Sequence, residues 1–378
     1  MSTDVLVLNT AVTDFRSKEF SFVEKLTGPG GLAKCKTSDM PAYTQEHYKQ
    51  WIDAGMVTAG GPGNTAPLIA KACLKAAVGV NLGKGDFGGL DAQGRYFYDM
   101  MAKNNVDMSQ TFVHDSLPTG TTFIYEKINN ERGGLAYFPN ANNDFDFEYF
   151  KKSVEKLNPK IVFYMYSGLS DRGDANGGKD LADFIKWCRQ KGIATLVDSH
   201  TLTGNPQKLI EEKAIIAEYA LLKPLLGELD IFFTSYDEAR MIANAFEENI
   251  AEQDFIINFL RFLSSRYVNF KIFGVTVKDG AYVVCKDAKG NTAEPKKITS
   301  RFMGQGVKDL VGAGDSFRAG VVTYLAKNIE KLKNDEIDIE EAIQMGNLFA
   351  SLYIKSPLND RYGNIKSFTK MLEMVRGQ

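Results

Sequence analysis

The segment from residue 309 to residue 320 reads D-L-V-G-A-G-D-S-F-R-A-G and places small residues directly before an amphipathic helical pattern. Gly312, Ala313 and Gly314 would let backbone N–H groups converge on an anion, and the N-terminus of the following helix would add a positive dipole. Asp315 falls in the first turn, where a carboxylate can accept a proton from a hydroxyl that attacks phosphorus. An aspartate there also suits a helix cap. The spacing predicts a phosphate-binding helix start beside a candidate general base.

A second polar set precedes this segment in the chain. Residues 60–66 read G-G-P-G-N-T-A, and Asp14 follows the first apolar run by a few positions. Side chains such as Asp14 and Asn64 suit a polyol, because each can hold two hydroxyls and orient one oxygen for attack. Each feature also has a structural interpretation, as a strand–helix turn, a helix cap or a loop residue. Their chemistry predicts a site for a hydroxyl-rich molecule.

The twelve residues from 309 to 320 resemble the signature of the ribokinase family (phosphofructokinase-B type), which reads roughly D-T-x-G-A-G-D-x-F-x-x-G. They depart from it at Leu310, where a threonine is usual. The resemblance implies ATP-dependent phosphorylation of a small molecule, with Asp315 as the catalytic base. The other catalytic groups that it implies are the backbone amides of an anion hole: Gly312, Ala313 and Gly314.

Further segments follow the order found in that family. Residues 60–66 resemble its sugar-binding turn, residues 89–94 (G-L-D-A-Q-G) its G-x-D-x-x-G segment, and residues 140–142 (N-A-N) its G-A-N segment with the glycine replaced. The resemblance therefore implies a substrate-binding set of carboxylates, amides and glycines: Asp14, Gly60, Gly61, Asn64, Asn142 and Asp309.

The nucleotide and metal segments match the family less closely. The family's T-x-G-x-x-G near the ATP phosphates has Val277 in place of its middle glycine, and Ser235 replaces the asparagine of its N-x-x-E, which positions Mg²⁺ through water. Glu238 matches the glutamate, so the resemblance implies that it holds the metal. ATP and Mg²⁺ are implied, and many relatives also bind a monovalent cation. The implied nucleotide-binding residues are Thr276, Gly280, Gly312, Gly314 and Asn347.

Residues 198–200 (D-S-H) follow an apolar run where relatives often carry D-x-N. His200 would alter substrate contacts if it replaces that asparagine, whereas a lone histidine is more often structural. The substitution leaves the identity of the acceptor open.

These residues need a scaffold, and the apolar pattern predicts one. Short buried runs at 5–8, 161–165, 193–197 and 231–233 alternate with helical patterns. This alternation predicts an α/β, doubly wound and mostly parallel sheet flanked by helices. The family resemblance implies that this sheet is ribokinase-like and carries a small β-sheet lid. We expect residues 1–14, 59–106 and 139–378 to form the kinase core and residues 107–138 the lid. Residues 15–58 would be an insertion, part of which could join the lid.

Composition excludes several classes of function. The formal net charge is -2, which argues against a nucleic-acid partner. The four cysteines form no C-x-x-C pair, so neither a zinc site nor a disulfide framework is expected. We expect no signal peptide and no transmembrane helix, because the sequence has no apolar run of the required length. We expect a cytoplasmic protein whose partner is a small molecule, and an exposed lid edge would allow a homodimer.

Several functions remain open at this stage. A sugar or sugar acid fits the polar acceptor set best, and nucleoside (adenosine-type) kinases share the same scaffold. Ser235 and Val277 would also suit a catalytically silent relative. Residues 83–88 (G-K-G-D-F-G) formally fit the G-x-G-x-x-G of a dinucleotide-binding oxidoreductase. That alternative lacks the helix that should open at once and the second strand that should end in an acidic residue.

Overall fold

The computed structural model describes residues 2–28, 31–126, 132–199 and 205–377. His200 and the middle of the predicted lid, residues 127–131, lie outside these ranges. Within them, the strands are β1 Val5–Leu8, β2 Val12–Ser17, β3 Leu32–Lys34, β4 Val57–Gly60, β5 Ala76–Gly83, β6 Asp107–His114, β7 Gly120–Glu126, β8 Arg132–Phe138, β9 Ile161–Tyr164, β10 Ala194–Val197, β11 Ile231–Ser235, β12 Ile272–Val277, β13 Gly280–Cys285 and β14 Lys296–Thr299.

Helices connect most of these strands. They are α1 Gln45–Asp53, α2 Ala66–Lys71, α3 Ala92–Lys103, α4 Phe147–Leu157, α5 Asp171–Asp174, α6 Lys179–Gln190, α7 Pro206–Glu211, α8 Ala217–Ala220, α9 Leu222–Leu225, α10 Tyr236–Ala245, α11 Phe255–Arg266, α12 Ala313–Lys327, α13 Ile329–Lys333, α14 Ile339–Lys355 and α15 Phe368–Val375. None of the helices in the described part of the chain has the length and apolar character needed to cross a bilayer.

The described strands form a large sheet in the order β14-β13-β12-β11-β10-β9-β1-β5-β6. Its strands from β12 to β6 run parallel, and β13 and β14 are antiparallel additions at one edge. Alternate residues of β1 enter different cores, with Val5 and Val7 on one face and Leu6 and Leu8 on the other. Helices cover both faces, so the continuous apolar runs are explained by burial on both sides. The predicted α/β class is confirmed.

The small sheet has the strand order β3-β8-β7-β2-β4. Its composition corrects the predicted boundaries. Residues 107–114, expected in the lid, form β6 and pair in parallel with β5 at the edge of the large sheet. Strands β2, β3 and β4 belong to the small sheet. Strand β3 and parts of β2 and β4 come from residues 15–58, part of which the prediction allowed to join the lid. Strand periodicity alone does not tell which of two sheets an edge strand joins.

An aromatic cluster explains why much of the 15–58 segment is ordered. Phe15 and Phe20 are buried against Phe123 of β7, and the rings of Phe20 and Phe123 lie 4.9 Å apart. Trp51 of α1 closes the cluster, with its ring 5.1 Å from Phe20. Because side chains alternate across a strand, Asp14 points to the opposite face of the small sheet from Phe15. That opposite face forms one wall of the site described below.

Candidate active site

The N-terminus of α12 lies beside a cavity of about 280 Å³ between the two sheets. Gly312 precedes the helix with φ +82°, a conformation that favours glycine. The floor of the cavity is the carboxyl edge of the large sheet, where Tyr166, Asp198 and Thr276 lie at or just beyond the ends of β9, β10 and β12. Ligands of open α/β sheets bind at this edge. The predicted anion hole and base, Gly312, Ala313, Gly314 and Asp315, all line this cavity.

Asp315 is buried and held in one orientation. Its Oδ2 accepts hydrogen bonds from Nδ2 of Asn64 at 2.9 Å and from the hydroxyl of Tyr166 at 2.7 Å. Burial raises the pKa of Asp315, while the positive charge of Arg318 and the two hydrogen bonds oppose that rise. Asp198 also lies within hydrogen-bonding reach of this carboxyl. A buried carboxyl with a raised pKa is well matched to proton transfer.

Arg318 lies one helical turn beyond Asp315 and is close to two carboxylates of the site. Its Nη2 lies 3.0 Å from Oδ1 of Asp198 and 4.0 Å from Oε2 of Glu238, and it donates to the carbonyl of Phe233 at 2.9 Å. Burial disfavours its charge, yet the surrounding carboxylates raise its pKa overall. The site therefore holds a permanently charged guanidinium that offsets several buried acids.

Glu238, the predicted metal-binding residue, lines the cavity and is fixed by a capping box at the start of α10. Its carboxylate accepts from the backbone N–H of Ser235 at 2.8 Å and from Oγ1 of Thr234 at 2.9 Å. Ser235 thus serves as the cap of the helix, which explains a serine at this position. The described residues contain no group of three or more histidine, cysteine, aspartate or glutamate side chains arranged to hold a metal directly. Glu238 suits a metal held through water and the phosphates of a nucleotide.

The acceptor side of the cavity contains Asp14, Gly61 and Asn64. Burial raises the pKa of Asp14 to about 7, against the opposing charge of Arg16. Gly60 and Gly61 have steric reasons to be glycine. A Cβ on Gly60 would collide with the Asp14 carboxylate, and a Cβ on Gly61 with the carbonyl of Thr10. The structure therefore brings the predicted acceptor turn and Asp14 together.

Three predicted substrate residues, Gly60, Asn142 and Asp309, are not among the residues that line this cavity. Asn142 is buried and donates to the carbonyl of Ala11 at 2.9 Å and to the hydroxyl of Tyr137 at 3.3 Å. Asp309 pairs with two guanidiniums, of Arg16 and of Arg361, each at 3.0 Å. The amide nitrogen of Asn142 and the carboxylate of Asp309 are thus engaged within the protein, whereas Oδ1 of Asn142 is buried without a hydrogen-bond partner among the described residues. A role of Asn142 and Asp309 in substrate binding stays a prediction.

A second cavity of about 480 Å³ continues from the first past the start of α12 and shares Thr276, Leu310, Ala313 and Gly314 with it. The predicted nucleotide residues Gly280 and Asn347 line it together with apolar side chains. These are Phe302, Met303, Val307, Phe317 and Ile354. An apolar slot with a few polar groups is typical of a site for a flat ring system. The predicted anion hole therefore lies where two cavities meet.

Several site residues were not predicted from the sequence. Arg318 lies inside the signature segment, and Asp198 follows a buried strand, so both carried a signal that could have been used. Tyr166 and Tyr353 carried none, because they reach Asp315 and Asn64 only in the folded protein.

The solved structures most useful for comparison share this fold at low identity. A probable sugar kinase from Rhizobium etli CFN 42 superposes with a TM-score of 0.64 at 18% identity, covering 100% of this chain and 99% of that one. An adenosine kinase from Anopheles gambiae, in complex with P1,P4-di(adenosine-5) tetraphosphate, gives 0.67 at 15%, covering 96% and 98%. A fructokinase from Xylella fastidiosa with bound ATP gives 0.65 at 15%, covering 100% of both chains.

A search among curated proteins found no match. The model of the pfkB family of carbohydrate kinases matches residues 49–360, which include the acceptor turn, the anion hole and Asp315. The chain therefore belongs to the pfkB carbohydrate kinase family.

Proposed function

We propose that this protein transfers the γ-phosphoryl group of ATP to a hydroxyl of a small neutral molecule, most simply a sugar. One observation carries the proposal: Asp315 and the Gly312–Gly314 anion hole lie at the junction of a polar cavity and an apolar one. This arrangement would place an acceptor hydroxyl next to the base and a nucleotide phosphate next to the backbone amides.

The mechanism follows from these positions. Asp315 takes the proton of the attacking hydroxyl, and Asn64 and Tyr166 keep the carboxylate aimed at the acceptor. The amides following Gly312 and the positive end of α12 stabilise the charge of the transferring group. Bound Mg²⁺ would neutralise the nucleotide phosphates, and Glu238 would hold it through water. Thr276 and Gly280 would contact the nucleotide, and Asn347 would lie near its base.

The charge of the acceptor cavity favours a neutral substrate over a sugar acid or a sugar phosphate. Arg318 is the one basic side chain among the described residues that line this cavity, and it is already paired with Asp198. Asp14, Asp198, Glu238 and Asp315 also line it. A carboxylate or phosphate on the acceptor would meet these acids without a free cation to bind.

A nucleoside is the second candidate acceptor. Apolar side chains of the small sheet, among them Val12, Leu32 and Leu135, line the acceptor cavity together with Tyr137 and Leu169. Such a wall would bury a nucleobase while Asp14 and Asn64 hold ribose hydroxyls. A simple sugar would leave part of this apolar wall uncovered. The size of the preferred acceptor therefore distinguishes a sugar kinase from a nucleoside kinase.

The test is a measurement of ADP formation from ATP and Mg²⁺ with neutral sugars, sugar acids, sugar phosphates and nucleosides as acceptors. We expect one neutral acceptor to stand out, and Asp315→Asn to lower its kcat by about 10²- to 10⁴-fold. Asp86→Asn is the matched control, because Asp86 is exposed and lies outside both cavities. Full activity of Asp315→Asn would overturn the base assignment, and preference for an anionic acceptor would overturn the charge argument.

A further inference from the structure

A buried guanidinium lies directly behind the anion hole. Nη2 of Arg361 donates to the carbonyl oxygen of Val311 at 2.7 Å, and the same nitrogen lies 3.0 Å from Oδ2 of Asp309. Arg361 is only 4% exposed. It therefore bridges a carboxylate and a carbonyl of the loop that ends at Gly312.

The Asp309 carboxylate and the Val311 carbonyl are oxygen ligands of the kind that hard cations prefer. Many members of the family that this sequence resembles bind a monovalent cation, and the sequence alone does not locate a site for one in this chain. In this chain, however, a nitrogen of Arg361 already occupies the space between the two oxygens. These oxygens therefore do not fit an exchangeable cation while Arg361 is in place.

Arg361 is also linked to the base through side chains. Its guanidinium carbon lies 4.1 Å from the centroid of the Tyr353 ring. The Tyr353 hydroxyl donates to Oδ1 of Asn64 at 2.6 Å, and Asn64 in turn donates to Asp315. One cation thus fixes both the backbone beside the anion hole and the amide that orients the base.

We propose that Arg361 acts as a tethered internal cation that holds the 309–312 loop in its anion-binding conformation, so that turnover needs no K⁺ or Na⁺. It is a positioning residue, since it acts through Val311 and Tyr353. The inference rests on the proposed kinase function. Arg16 shares the Asp309 carboxylate at 3.0 Å but makes no described bond to Val311, so the role belongs to Arg361.

The first test compares wild-type protein in potassium, sodium and choline chloride at equal ionic strength. We expect kcat to agree within about twofold, and Tm without substrates within about 1 °C, because no exchangeable cation binds the folded state. Stimulation of turnover by about tenfold or more in K⁺, or a Tm increase specific to K⁺, would overturn the inference. The Tm comparison decides even if no acceptor is phosphorylated, which would instead count against the proposed function.

The second test removes the guanidinium group of Arg361 by mutation. Arg361→Ala should lower kcat by about 10- to 100-fold, because the loop and Asn64 lose their support. The deleted side chain would open space next to a cavity of about 110 Å³ that Arg361 lines, so guanidinium ion or K⁺ should restore part of kcat and raise Tm. Arg361→Lys should keep more activity than Arg361→Ala, and Arg261→Ala, an exposed pair with Glu294, is the control.

Unchanged kcat in Arg361→Ala, or rescue by neither cation in a variant that folds, would overturn the role. If Arg361→Ala does not fold, Arg361→Lys and the wild-type salt series decide the question.

Discussion

The side-chain amide of Asn64 donates to Oδ2 of Asp315 at 2.9 Å, although 251 positions separate the two residues. The amide cannot turn over, because its Oδ1 accepts a hydrogen bond from Tyr353 at 2.6 Å. The acceptor turn after β4 and the base on α12 are thus locked together. Asn64, predicted as a substrate ligand, is therefore also positioned to orient the proposed base.

Replacing Asn64 tests this lock. Asn64→Ala should lower kcat by about 10- to 100-fold, because a hydrogen bond to a charged group contributes about 1.5–3 kcal/mol. Asn64→Asp should lower it further, since a second carboxylate would repel Asp315. Steady-state kinetics with the best acceptor gives the answer. Asn334→Ala, an exposed asparagine, should behave as wild type, and equal kcat for Asn64→Ala and wild type would rule out the orienting role.

Arg318 should matter for both stability and catalysis. Arg318→Met leaves the carboxylates of Asp198 and Glu238 without their buried cation, so the free energy of unfolding should fall by about 3–5 kcal/mol. Urea unfolding would measure this loss. The matched variant Arg261→Met breaks an exposed ion pair with Glu294 and should cost less than about 1 kcal/mol.

Arg318→Lys tests the contribution of Arg318 to catalysis through its effect on kcat. Arg318→Lys keeps the positive charge but loses the planar guanidinium, which contacts both the carbonyl of Phe233 and the carboxylate of Asp198. We therefore expect this variant to fold and to have a lower kcat than the wild type. Wild-type stability of Arg318→Met would contradict the view that Arg318 compensates the buried acids.

Much of the core could be predicted from the sequence because burial on both faces leaves a strong signal. The apolar runs at 5–8 and 231–233 are strands β1 and β11 in the large sheet. The start of α12 was predicted because Gly312, Ala313 and Gly314 lead directly into an amphipathic pattern, and in the structure Gly312 has a φ of +82°. These features depend on residues that are close together in the chain, so they appear as local patterns in the sequence.

Features that depend on distant residues were missed. The 15–58 segment looked like an insertion of uncertain structure, because its aromatic residues meet Phe123 only after folding. Asp309 was predicted to bind substrate, yet its two arginine partners lie far away in the chain at positions 16 and 361. An ion pair between residues that lie far apart in the chain produces no local sequence pattern from which it could be predicted.

The pKa of Asp14 predicts a pH dependence of acceptor binding. Burial raises this pKa from 3.8 to about 7, so the folded protein holds the proton more tightly than the unfolded chain does. The contribution of Asp14 to stability is therefore full below about pH 4 and is lost as the pH rises through about 7. The ionised form is the stronger acceptor of substrate hydroxyls, so the KM for the acceptor should decrease between about pH 6 and pH 8.

Asp14→Asn should raise this KM and remove its pH dependence in that range. The KM for ATP, measured in the same buffers, should show no such change, because Asp14 lines the acceptor cavity and not the apolar one. A KM for the acceptor that still falls with pH in Asp14→Asn would assign the titration to another group.

A substitution of Gly60 tests the acceptor wall more specifically than a substitution of Asp14 does. Gly60 has no side chain, so the substitution removes no interaction and only adds a methyl group. A methyl group on this residue would collide with the carboxylate of Asp14, which must then move away from the position it holds opposite Thr122 in the small sheet. Gly60→Ala should therefore raise the KM for the acceptor by about tenfold or more, with a smaller effect on the KM for ATP. The comparison variant is Gly227→Ala, whose new methyl group would make only an ordinary contact with Tyr267. If Gly60→Ala raised both KM values equally, the collision would be disturbing the whole domain rather than the acceptor wall, and the proposed contact between Asp14 and the acceptor would lose this support.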